Sequence, residues 1–427
     1  MERNKRKDLY RLFNIITLSF IFLVFSQSVL ALQNHTGAHD PSTIVKDGDT
    51  YWIFTTGNGI YSMYSKDLIK WTAGKTPFPA GTFPSWIKEY VPDFQGHFWA
   101  PECVYMNGLY YLYYACSSWG SKNSCIGLAT TKSLNPSSPD YEWKDLGMVV
   151  FSNNNSAANC IDPALFTDKD GKLWLSFGSY FGGIRFTELD SQKGKPLSSK
   201  LYAVASGNCE ASYVILHGNY YYLFINRGSC CQGVNSTYHI QVGRSENPIG
   251  PFLDKYGNDL NAGGGTTILA SQNNFIGPGC LGYYVEDGVE YTSYHYYDGE
   301  ASGRPTLAIG TMEWDNKGWP VITNNWLDEG TYTIVNNNSN HVWATDQCLA
   351  GAGTSVVQSS YNKKNCQQWD LVQLGTGYYK IIAHSANRVV MVGDCATGSG
   401  APLALGDYTG RKCEIWRIER TNNNTFV

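Results

Sequence analysis

"DPALFTDKDGKLWLSFGS" (residues 162–179) decides the fold, because four other stretches repeat its plan. A short apolar run turns at Asp-Gly and continues as an alternating run rich in aromatic residues, which is the pattern of a β-hairpin. "DPSTIVKDGDTYWIFTT" from 40, "APECVYMNGLYYLYYA" from 100, "EASYVILHGNYYYLFIN" from 210 and "GPGCLGYYVEDGVEYTSYHYY" from 277 do the same, turning at Asp-Gly, Asn-Gly, His-Gly and Asp-Gly. The copies start 60, 62, 48 and 67 residues apart, with no helical period between them. Hairpins recurring at such intervals predict four-stranded blades. The chain therefore reads as all-β, with a five-bladed β-propeller over residues 34–325. A sandwich is the competing way to arrange many short strands.

Aligned on their first residue, three copies carry an acid in one slot: Asp40, Asp162 and Glu210, against Ala100 and Gly277 in the other two. The slot opens the innermost strand of each blade, and those strands line the axial channel. Three acids remote in sequence are thus expected at one mouth. Turn caps and a calcium cage are the competing uses of such carboxylates. In a cleft lined by aromatic rings they suit glycoside hydrolysis, where one carboxylic acid protonates the leaving oxygen and a carboxylate opposite activates water. Burial and mutual repulsion raise at least one of their pKa values, which keeps an acid protonated near neutrality.

Outside the repeats, residues 1–31 read as a secretory signal peptide: a basic head from Arg3 to Arg11, an apolar run over Ile15–Phe25 and small residues near Ala31. An uncleaved membrane anchor is the alternative, but the run is shorter than the roughly 20 residues a bilayer needs. Removing this segment, with its five bases and two acids, takes the net charge from −4 to −7. A chain of that charge does not suit nucleic acid. The expected setting is secreted and extracellular, with no membrane attachment after cleavage. Twelve cysteines then predict disulfides. Cys116 and Cys125 flank Trp119 and are placed to clip its loop; Cys160 and Cys209 are placed to pair across blades. Glycosylation sequons stand at Asn34, Asn154, Asn235, Asn337 and Asn423.

The tail is a second repeat. Residues 330–369 and 377–416 align without a gap at an offset of 47, so that Cys348 and Cys366 fall on Cys395 and Cys413, and Trp369 on Trp416. One disulfide inside each copy is the economical pairing. The segment 330–420 resembles ricin-type β-trefoil lectins, with Gln367-Gln368-Trp369 becoming Glu414-Ile415-Trp416 in the second copy. Two of the three units that a trefoil needs are present.

"HDPS" at 39, "FWAPE" at 98, "NCIDPALF" at 159 and "CEASYV" at 209 resemble glycoside hydrolase family 43. "SFGSYFGGI" from 176, "CCQGVNSTYHIQVGRSENPIGPF" from 230 and "YHYYD" from 294 bring it nearest to endo-1,5-α-L-arabinanases within that family. The resemblance implies a five-bladed propeller that cleaves arabinan in plant cell-wall pectin with inversion. It implies Asp40 as general base, Glu210 as general acid and Asp162 as the group that tunes Glu210. It implies His295 as a protein ligand of a central ion, often Ca2+, completed by water, and no organic cofactor. Trp99 and Trp119 match aromatic positions beside the sugar. His39 and Asn159, next to the acids, are expected either to hydrogen-bond substrate hydroxyls or to brace the carboxylates. Exo-acting arabinofuranosidases, xylan-directed relatives such as β-xylosidases, and a non-catalytic carbohydrate-binding protein remain alternatives. Two departures stand out: Glu102 where Asp is usual, and Cys280 where many arabinanases have His.

Overall fold

The computed structural model describes residues 32–323, 330–375 and 378–418. The predicted signal peptide and the sequon at Asn423 lie outside the described residues. Five sheets form the propeller. Their inner strands are Val45–Asp47, His97–Met106, Ala164–Thr167, Glu210–His217 and Phe275–Glu286, for blades I to V. Each continues through the expected tight turn into an antiparallel second strand: Lys46 pairs with Tyr51, Tyr105 with Tyr110, Phe166 with Trp174, Leu216 with Tyr221 and Val285 with Glu290. The turns at Gly48, Gly108, Gly171, Gly218 and Gly288 all have positive φ, which explains the recurrent glycine.

The aromatic wealth is spent between blades. Trp52, Phe54, Phe98 and Tyr114 fill the wedge from blade I to II. Phe166, Trp174, Phe186, Leu223 and Phe252 fill that from III to IV. Each fully buried ring or aliphatic side chain contributes roughly 1.5–3 kcal/mol, so wedge-shaped gaps that only large side chains can fill hold the ring together. The ring closes through its N-terminal segment. Ala38 N–H donates to Pro305 O (3.2 Å) and Leu307 N–H to Thr36 O (2.8 Å) on blade V, and Gln33–Asn34 then runs parallel to Lys70–Trp71 of blade I.

In the tail, strands Gly330–Tyr332, Trp369–Gly375, Tyr378–Ala383, Arg388–Val392, Leu403–Gly406 and Trp416–Arg417 form one sheet, and Val342–Thr345 with Val356–Ser359 a hairpin. Disulfides Cys348–Cys366 and Cys395–Cys413 sit one per copy, each with Cα atoms 5.2 Å apart. Trp369 and Tyr379 share an apolar cluster with Trp319 and Tyr294 of blade V.

The propeller cysteines depart from expectation. Cys116 and Cys125 are register partners on adjacent strands, yet both are buried thiols. Cys160 and Cys209 are also thiols and belong to different apolar clusters, one packed with Leu165 and Leu175, the other with Ile184 and Leu223. The disulfide that does form in the propeller joins the neighbours Cys230 and Cys231.

Candidate active site

The repeated slot lies where the inner strands are irregular. Asp40 precedes the regular strand of blade I by five residues, Asp162 that of blade III by two, and Glu210 opens that of blade IV. Asp40 (φ 49°), Asp162 (φ 55°) and Ala211 (φ 48°) are left-handed, a conformation that aspartate tolerates better than most side chains. The ladder slips between Trp99 and Pro101, between Glu210 and Tyr213, and twice between Ile276 and Gly282. Such bulges turn side chains out of the alternating pattern and into the channel.

The three acids come to one mouth. The Asp162 carboxylate accepts from Ala211 N (3.1 Å), which ties blade III to the residue after Glu210. Asp40 acts electrostatically on both Asp162 and Glu210. Their surroundings differ. Asp40 Oδ2 accepts from His39 Nδ1 and Thr56 Oγ1, both at 2.7 Å, and Oδ1 lies 3.7 Å from His295 Nδ1. Burial alone would push the Asp40 carboxyl up, but the His39 imidazolium and these donors hold it well below the usual range. His39 is raised in return: burial opposes its charge, and Asp40 more than offsets that. Glu210 is 8 % exposed and receives one hydroxyl, from Tyr238 at 2.8 Å. Burial, with the Asp40 charge added, raises it to about 7 against that single donor. Asp162 is pushed well up by burial, Glu210 and Asp40. The mouth thus holds an ionised carboxylate beside a protonated acid at neutral pH.

His39 is fully engaged, its Nε2 meeting the Tyr297 hydroxyl at 2.9 Å. Asn159 is 2 % exposed and its amide spans Ser152 Oγ and Ser179 Oγ, so it braces the blade II–III junction instead of facing the cleft. Trp99 is half-buried on the inner strand of blade II, and Trp119, 79 % exposed, stands over it with ring centroids 6.1 Å apart. Tyr238, Thr56 and Tyr297 were not singled out from the sequence. Tyr297 could have been, since it follows His295 by two on one strand and so faces the same side.

His39, Asp40 and His295 offer ligand atoms within 4.8 Å of one another. Both nitrogens of His39 are taken, whereas His295 is fully buried and its Nε2 has no partner among the described residues. Burial, and next the charge of His39, lowers the His295 pKa to about 3, so the ring is neutral. With its proton on Nδ1, turned to Asp40, the Nε2 lone pair is free; with Nδ1 accepting from Asp40 N (3.2 Å), Nε2 is a donor. The first tautomer fits a cation held through His295 Nε2, with water as its other ligands.

Glu102 lies deeper, in a small cavity shared with Asp162, Tyr213 and Cys280. It is 4 % exposed; Oε2 accepts from Thr43 N (3.2 Å), Oε1 has no partner among the described residues, and burial raises it to about 8. Cys280 stands in the same cavity as a neutral thiol.

The model of Glycosyl hydrolases family 43 matches residues 34–320, two thirds of the chain. This chain belongs to that family. It is a glycoside hydrolase built on a five-bladed propeller, and residues 315–406 match the ricin-type beta-trefoil lectin domain-like family. The hydrolase is 38 % identical to the extracellular exo-alpha-(1->5)-L-arabinofuranosidase ArbA of Cellvibrio japonicus, over 68 % of this chain and 87 % of that protein. It is 39 % identical to the extracellular endo-alpha-(1->5)-L-arabinanase 1 of Bacillus subtilis, over 70 % of this chain and 93 % of that one. Among solved structures, Cellvibrio cellulosa alpha-L-arabinanase complexed with arabinohexaose superposes with a TM-score of 0.65 at 36 % identity, covering 68 % of this chain and 96 % of that one.

Proposed function

We propose that this family 43 hydrolase is secreted and cleaves internal α-1,5-arabinofuranosyl linkages of plant cell-wall arabinan with inversion. The observation that carries the reading is the split between Asp40, held ionised by His39 and Thr56, and Glu210, kept protonated to about 7 by burial. Glu210 donates its proton to the leaving oxygen as the glycosidic bond breaks. Asp40 takes a proton from the water that attacks the anomeric carbon from the other side. Asp162, itself kept protonated and accepting from the N–H of Ala211, is the group placed to tune Glu210 and fix its orientation. Trp99 and Trp119 offer ring faces to furanose C–H surfaces. His295 would hold a cation, Ca2+ by resemblance; when bound, that ion supplies positive charge and ordered water near Asp40.

Arabinan as substrate is supported by the names of both curated relatives, and an extracellular setting by the same names. Among the described residues no helix is long and apolar enough to cross a membrane. In this reading residues 1–31 are a cleaved signal, 34–325 the catalytic domain and 330–420 a carbohydrate-binding module. The test is the product series from linear arabinan. Short oligomers accumulate early under internal cleavage, whereas arabinose or one fixed oligomer from the first minutes rejects it. That second outcome is the exo reading, which the likeness to an exo-arabinofuranosidase favours. Insoluble arabinan tests the tail: deleting residues 330–427 is expected to lower retention on it more than turnover of soluble arabinan.

A further inference from the structure

A disulfide between sequence neighbours closes almost no loop, so it restricts the unfolded chain very little and does not act as a staple. The Cys230–Cys231 bond therefore needs a local reason. Its place supplies one. Cys231 is exposed and Cys230 half-buried, and the Cys231 sulfur lies 3.7 Å from His39 Nε2, at the edge of the mouth that holds Asp40. The turn that carries the pair is held firmly. Cys231 N–H donates to the Tyr297 hydroxyl (2.7 Å) and Gln232 N–H to Ser236 Oγ (3.0 Å). Blade V packs on it backbone to backbone, since a Cβ on Gly303 would stand 2.5 Å from Val234 N. Two joined sulfurs make a small, rigid, polarisable surface with weak hydrogen-bonding demand. Trp99 and Trp119 supply the apolar surface on blade II.

We propose that the Cys230–Cys231 disulfide is a sugar-binding platform, an apolar wall beside His39 and Asp40 against which the C–H face of one pentofuranose unit packs. The proposal rests on the hydrolase reading above. Because the turn is already fixed, contact costs little ordering, and the gain appears as affinity.

The test compares the intact hydrolase with a Cys230→Ala/Cys231→Ala double variant and, as a control on the same turn, Gln232→Ala. In the double variant Kd for arabinohexaose, measured by calorimetry in a Glu210→Gln background, and KM on arabinan rise about tenfold. Its kcat stays within threefold and its pH profile does not move; Gln232→Ala changes neither constant. Values of Kd and KM within twofold of the parent overturn the platform. A shifted pH profile or a fall in kcat at constant KM also overturns it, because the pair would then act only by positioning His39. A second measurement needs no variant of the pair. A water-soluble phosphine with one water reduces the disulfide to two thiols and becomes the phosphine oxide. Saturating arabinohexaose is expected to slow that reduction at residues 230–231 at least fivefold, read by alkylation and mass spectrometry in Glu210→Gln protein; an unchanged rate overturns the proposal. An intact hydrolase that leaves both arabinan and arabinohexaose uncut refutes the hydrolase reading itself and the platform with it. Activity with unaffected sugar contacts refutes the platform alone.

Discussion

Two edges of one channel mouth treat the same functional group in opposite ways. On the blade I edge, Asp40 has His39, Thr56 and nearby His295 around it and is held ionised. On the blade III–IV edge, Asp162 and Glu210 have one backbone N–H and one phenol between them, and burial keeps them protonated. Carboxylates of nearly equal intrinsic acidity are separated by the donors each receives. The difference teaches that ionisation is set here by neighbours, not by residue type.

The strongest way to break the comparison is to make the two edges alike. Asp40→Asn and Glu210→Gln each remove one member, and each is expected to lower kcat on arabinan by at least about a thousandfold, or ~4 kcal/mol of barrier. Binding of arabinohexaose should stay within about threefold. Hydrolysis within tenfold of the parent for either variant would show that the roles are misassigned.

The next effect concerns stability and extends the contrast to Glu102. Its folded pKa of about 8 lies above that of a free glutamate, so the native state favours the protonated form and loses stability as pH rises between the two values. Glu102→Gln has no proton to lose. Its stability relative to the parent should therefore increase from pH 4 to pH 9, by on the order of a few kcal/mol, read from denaturant midpoints. A constant difference across that range would mean that Glu102 has a buried partner not seen in the structure.

Smaller shifts sharpen the comparison. The parent's kcat/KM should hold down into acid, because Asp40 titrates low, and fall above about pH 7 as Glu210 loses its proton. Tyr238→Phe deletes the one donor that lowers the Glu210 pKa and should move the basic limb up by about one unit. His39→Ala removes the imidazolium that holds Asp40 down and should raise the acid limb by about one unit or more, and the basic limb by less, because the same charge is the smallest influence on Glu210. Limbs that move together would show that the two edges titrate as one coupled set.

The hairpins were legible because strand alternation and Gly-bearing turns are local properties. All five of the predicted turns are formed, and so is the disulfide inside each tail copy. The acid slot was legible because a repeat puts equivalent residues at equivalent places. Other parts were not. Asn159 reads as a substrate ligand or a brace for the acids but lies behind the wall, held by two serines from neighbouring blades. Cys116 and Cys125 sit opposite each other and remain thiols, while Cys230 pairs with its own neighbour. Eight propeller cysteines are compatible with many pairings, and spacing carries no information on which sulfurs approach.

By itself the sequence determined the blade count, the turn positions, the three acids and the two-copy tail, since each is written in a local or repeated pattern. Only the tertiary structure decided which acid is ionised, that His295 keeps a free nitrogen, that Glu102 is half-satisfied and that Cys231 reaches His39. Those properties depend on distances between side chains from different blades, and such distances exist only once the ring has closed.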